Sequence, residues 1–150
     1  AMGVIINHQA ARMNLGKLYE TLDIGAPRFC ADQPVHIGVP VESNRGFVLH
    51  TQDHMLPESV PITHDIGLTS SIEILRDITN GIGPTHSIVS LGCAGWHAGQ
   101  LESELAANVW LSIPATSDLV FRDGTHDIWK DAYKVLGVDP AHFVSDIGQA

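Results

Sequence analysis

The run LGCAGWHAGQLESELAANVW, residues 91–110, decides the fold of this chain. It joins a short apolar stretch, residues 87–91, to a segment with helical spacing, residues 100–110, through a turn crowded with Gly92, Gly95 and Gly99. A brief β-branched run followed by helical periodicity reads as strand, turn and helix, with the strand apolar enough for the centre of a sheet.

Working outward, GVIIN at residues 3–7 is β-branched and suits a buried strand. Asn14 is placed to cap a helix whose apolar face is Leu15, Leu18, Tyr19 and Leu22, ending near Gly25 and Pro27. Residues 33–38 and 46–50 read as strands, and the turn chemistry of residues 40–44 between them predicts a hairpin. Val60 and Ile62, among Pro57 and Pro61, suggest an edge strand. Ser70 and Glu73 have capping-box spacing ahead of Ile72, Ile74, Leu75 and Ile78, and Gly81 ends that helix. Residues 118–121 read as a strand. Thr125 then caps a last helix with Ile128, Trp129, Ala132, Val135 and Leu136 inward and Gly137 as its stop. Trp110 and Trp129 fall on apolar stripes, which predicts core positions. Strands and helices mix without an internal repeat, so one α+β domain is expected.

Composition narrows the function classes. A chain of 150 residues fits one domain, and 44% hydrophobic against 17% charged residues is a folding composition. Net charge is −9, and the eight Lys and Arg are scattered from Arg12 to Lys134 without a basic run. Phosphate binding depends on clustered cations, so direct nucleic-acid binding is not expected. No apolar run reaches the roughly 18 residues that span a bilayer, and the start lacks a signal-peptide pattern, which predicts a soluble, cytoplasmic protein away from membranes. Cys30 and Cys93 form no CxxC pair and are expected reduced.

With RGFVLHT at residues 45–51 and AMGVIIN at residues 1–7, the 91–110 run makes the chain resemble the AlgH/YqgE family over nearly its whole length. The resemblance implies a single AlgH-like α+β domain over residues 1–150, with a strongly bent mixed sheet closing toward a barrel and helices packed around it. It also implies a transcriptional-regulator label that originates in genetics, and no established active site. Two departures stand out. In VHIGVPV, residues 35–41, Val39 stands where relatives usually have a second glycine, and a β-branched residue resists positive φ. Family members also usually carry a proline-rich apolar segment ahead of the match to residues 1–7. A chain without it is expected to expose a sheet edge, which favours a homodimer.

The residues that bear chemistry each have a structural use as well. Cys93 follows a strand and precedes a helix, but glycine is not two residues before it, so the spacing of a nucleophile elbow is absent and a buried structural thiol is expected. The glycines at 95 and 99 precede a helix start that can hold an anion, yet Glu102 and Glu104 oppose one, so close backbone packing is the expectation. His50 and His54 have i, i+4 spacing around Asp53, but on a strand end such spacing does not converge side chains; His50 is expected to be a hydrogen-bonded structural residue. Arg45 and Glu102 match the family pattern and are expected to pair, with Arg45 the first residue to test for a ligand. Trp96, Gln100 and Asn108 match it too: Trp96 can bury its ring beside the glycine turn, and Asn108 can close a helix end.

These readings assign no catalytic residue, cofactor or metal. The leading functional expectation is a noncatalytic regulator that acts on transcription indirectly, through an unidentified protein partner. The competing expectation is a small-molecule-binding protein or a metal-dependent hydrolase, which requires Arg45, His50, His54 and Glu102 to meet in one concave site.

Overall fold

The computed structural model describes residues 1–38, 45–122 and 127–138. Its elements are β1 (Met2–Gly3), β2 (Gln9–Asn14), α1 (Leu15–Leu22), β3 (Pro34–Ile37), β4 (Gly46–Thr51), β5 (Val60–Pro61), β6 (Ile66–Thr69), α2 (Glu73–Asn80), β7 (Ser87–Leu91), β8 (Ala94–Gly95), α3 (Gln100–Ala106), α4 (Ser117–Val120) and α5 (Ile128–Val135). Six strands form one mixed sheet in the order β2-β3-β7-β4-β6-β5, and β1 pairs with β8 in a separate two-stranded ladder.

β7 lies inside the sheet, as its apolar run predicts, parallel to β3 and antiparallel to β4. Register sets Val35 beside Val89 and Val89 beside Val48, so three β-branched side chains form one row. Leu15, Leu18 and Tyr19 of α1 and Ile74, Leu75 and Ile78 of α2 pack with that row. Completely burying one such side chain contributes about 1.5–3 kcal/mol, so this layer is the main source of cohesion. The two helices also meet through a hydrogen bond, Tyr19 Oη to Thr79 Oγ1 at 2.5 Å.

Local chemistry explains the helix ends. The Lys17 amide donates to Asn14 Oδ1 at 3.0 Å, the expected cap of α1, while Asp23 closes it in the left-handed region at φ 51°. Gly81, at φ 74°, ends α2 as its sequence suggested. The capping box does not form: Ser71 Oγ, rather than Ser70, accepts from the Glu73 amide at 3.4 Å.

Several expectations are corrected. The sheet does not close into a barrel; it is open, with β2 and β5 at its edges. Both edges are blunted, β2 by a register shift with Arg12 at φ 71°, and β5 by its two-residue length and Pro61. β3 and β4 are not a hairpin, because β7 inserts between them. Of residues 3–7, expected as a strand, only Gly3 pairs, beside Met2, against the two-residue β8. Residues 117–120 form a helical turn rather than a strand: Thr116 accepts from the Leu119 amide through its side chain, and Leu119 and Val120 are buried on one side of that turn. Trp110 and Trp129 are 49% and 46% exposed, not core. The turn at residues 40–44, Val39 and Thr125 lie outside the described residues.

Candidate functional site

The turn after β7 and the first turns of α3 build a compact polar-aromatic cluster. The Trp96 and Trp110 indole N–H groups both donate to Glu104 Oε2, at 2.9 and 2.6 Å, and the Gln100 side-chain amide donates to Oε1 at 2.9 Å. Gln100 Oε1 in turn accepts from the His97 amide at 3.0 Å. The two indoles meet edge to face, centroids 5.9 Å apart at 80°. Trp110, Gln100 and Trp96, in that order of effect, stabilise the charged carboxylate and hold Glu104 below the usual glutamate range. Helical i, i+4 spacing sets Gln100 under Glu104, a spacing legible in the sequence.

α3 itself has no buried residue. Around its C-terminal end Val109, Trp110 and Leu111 are 62%, 49% and 53% exposed. From Asp77 to Phe121 the chain contains no Lys or Arg but holds Asp77, Glu102, Glu104 and Asp118, so this apolar surface lies in an acidic stretch. Gly99 caps α3 at φ 78°, a conformation that favours glycine, yet a Cβ there or at Gly95 would meet nothing within 4 Å. The expected close packing occurs elsewhere: a Cβ on Gly38 would lie 2.9 Å from the Gly92 carbonyl.

The other sequence candidates fall into separate environments. The Arg45 guanidinium carbon sits 5.5 Å from the Phe47 ring centroid, and its backbone carbonyl accepts from the Gly92 amide at 2.8 Å. Glu102 is exposed and its side chain has no ion pair or hydrogen bond among the described residues, so the anticipated Arg45–Glu102 pair does not form. His50 is fully buried between the Thr51 carbonyl, 2.9 Å from Nδ1, and Ser59 Oγ, 3.4 Å from Nε2. His54 instead binds Asp77 at 2.7 Å, so the two histidines point to different partners. Cys93 is buried and Cys30 exposed, both as free thiols. Asn108 adopts φ 56° beyond α3, where a short polar side chain tolerates the left-handed turn.

Sequence reasoning missed a second region. A cleft of about 950 Å³ opens at the β3–β7 end of the sheet, with Gln9, Gln33, His36, His86, Phe121 and Arg122 among its walls. His36 is 8% exposed and its Nδ1 has no hydrogen-bond partner among the described residues. Its register partner Ser90, 1% exposed, likewise has an unpartnered Oγ. Burial lowers the His36 pKa below its ordinary value, opposed by a hydrogen bond of the ring to the Val89 backbone and reinforced by His8, so the neutral ring is favoured. The available signal was a histidine inside the short apolar strand PVHI, where Val35 and His36 are both buried.

An open mixed sheet backed by α1 and α2, with a glycine turn feeding a helix that clasps its own tryptophans, defines the class as an α+β domain of AlgH type. The chain belongs to the AlgH-like family, whose model matches residues 1–141. A UPF0301 protein of Rhodospirillum rubrum is 40% identical over 150 residues, covering 100% of this chain and 78% of the relative. One from Pseudomonas fluorescens is 38% identical over 152 residues, covering 100% and 80%. The solution structure of AlgH from Pseudomonas aeruginosa superposes with a TM-score of 0.77 at 34% identity, covering 100% of this chain and 79% of that one. A Corynebacterium diphtheriae protein shares the fold at TM-score 0.66 and 18% identity, covering 89% and 69%. Among the described residues no helix is long and apolar enough to cross a membrane, and no group of three or more His, Cys, Asp or Glu is arranged to hold a metal.

Proposed function

We propose that this protein is a noncatalytic, cytoplasmic partner-binding domain that influences transcription indirectly, by docking a protein rather than DNA. The observation that carries this reading is α3: a helix without a buried residue, followed by exposed Val109, Trp110 and Leu111 and braced by the Trp96–Glu104–Trp110 clasp. Aromatic groups held rigid at a surface favour association, because little side-chain entropy remains to be lost. Glu102, solvent-exposed on α3, and the charged Glu104 beside them suit a partner segment that is apolar on one side and basic on the other. The hydrolase reading lacks a comparable support, since Glu102 is solvated, His50 is sealed in its own hydrogen bonds and His54 is paired with Asp77.

Capture from cell extract tests the proposal. Wild-type protein should retain a protein partner that Trp110→Ser loses and that rising salt releases, while the variant's circular dichroism stays unchanged. Equal recovery by both proteins would remove the α3 surface from the binding site.

A further inference from the structure

The cavity beside His36 collects hydrogen-bonding capacity that the fold does not use. The side-chain amides of Asn7 and Gln9 line it and bond to nothing among the described residues. Gln33 spends its amide N–H groups on Ser87, at 3.0 and 3.1 Å, which leaves its carbonyl oxygen as an acceptor. His36 Nδ1, on the lining, and Ser90 Oγ, in the adjacent strand and not itself on the lining, are buried without partners among the described residues. Native folds rarely leave two neighbouring buried polar atoms unmet, and such exceptions mark places where something else completes the bonding.

One wall is aromatic. The His86 and Phe121 rings lie 17° from parallel with centroids 6.1 Å apart, and the His86 ring nitrogens are not hydrogen-bonded among the described residues. The charges nearby are already spent. Arg122 donates to Asp131 Oδ2 at 3.1 Å and to the Asp118 carbonyl at 3.3 Å, while Asp127 pairs with Lys130 at 3.3 Å. With net charge −9, the site offers little to a phosphate. At about 950 Å³ the cleft has room for a drug-sized organic molecule.

We propose that this cavity binds a flat, uncharged heterocycle with donors and acceptors on its edge, the chemical class of nucleobases and nucleosides. The edge meets the amides of Asn7 and Gln9, the face lies on the His86–Phe121 wall, and the inner end reaches His36. Nδ1 is closed to solvent, so contact with it requires a turn of the imidazole about its outer side-chain bond, a soft rotation. The neutral ring favoured by burial can accept a hydrogen from such an edge. The site is separate from the α3 surface, and neither proposal depends on the other.

Calorimetry and amide NMR on the full chain, with adenosine, guanosine, cytidine and uridine and each 5′-monophosphate as probes, test this. At least one nucleoside should bind and shift the Phe121 and His36 signals, and its monophosphate should bind about tenfold more weakly through repulsion by the acidic chain. Gln9→Ala, at an exposed position, should weaken binding severalfold without altering the melting temperature. His36→Leu should abolish binding while melting no lower than wild type, because it removes an unpartnered buried atom. Any of three results overturns the proposal: no nucleoside bound at millimolar concentration, monophosphates bound as tightly as nucleosides, or unchanged affinity in both variants. If His36→Leu fails to fold, Gln9→Ala alone decides.

Discussion

At Ser90 a hydroxyl lies 1% exposed between two strands with no partner among the described residues, and a group in that condition costs the fold about 1–3 kcal/mol. Ser90→Ala is therefore expected to stabilise the protein by about 1 kcal/mol in urea denaturation; a loss instead would reveal a bridging water. Gly38 argues the reverse, since its missing Cβ is where the Gly92 backbone passes, 2.9 Å away, and backbone cannot yield as a flexible side chain can. Gly38→Ala should cost about 1–3 kcal/mol by the same measurement. The Thr51 hydroxyl first, then Thr85, whose hydroxyl and whose amide at 3.0 Å both donate to the carboxylate, lower the Asp53 pKa to about 2. A depressed carboxylate stabilises the fold fully above its unfolded value, near 3.8, and that share is lost as pH falls toward 2. Asp53→Asn should remove this part of the acid-dependent fall in melting temperature, a modest part because the group is exposed.

Among the elements, α3 depends least on the core and most on one carboxylate. Glu104 is held below its ordinary pKa of 4.5 by three N–H donors, so the clasp is intact above that pH and lost as pH falls through the lowered value. Acid titration should shift tryptophan emission to longer wavelength as Trp96 and Trp110 gain water, and Glu104→Ala should show that emission already at neutral pH. An unchanged spectrum in the variant would mean that the indoles are held by packing alone. Helices with a strong local signature were legible in advance: Asn14 capping α1, and Ile74, Leu75 and Ile78 lining α2. α4 was not, because four residues fill one helical turn or a short strand equally well, and only the burial of Leu119 and Val120 separates the two. α3 was expected to continue through Trp110 but ends at Ala106, its later apolar residues lacking a core to hold them.

On the scale of the whole molecule, a net charge of −9 with dispersed cations governs encounters before any surface detail does. A mobility-shift assay at physiological salt should show no sequence-specific DNA complex at submicromolar protein. A complex surviving random competitor DNA would reverse the indirect-regulator reading.

The sequence by itself determined the family, the α+β class, the central strand at residues 87–91 and the helices with a cap or stop of their own. These rest on local chemistry and on long matching runs. Sheet order and site composition were decided only in three dimensions. Residues 33–38 and 46–50 suggested a hairpin through nearness in the chain, whereas β7, some forty residues onward, offered both strands a common partner. Likewise Glu104 rather than Glu102 became the centre of the tryptophan cluster, and His36 became a cavity wall, because convergence of side chains depends on the paths of distant segments. No periodicity along one strand or one helix records where those paths cross.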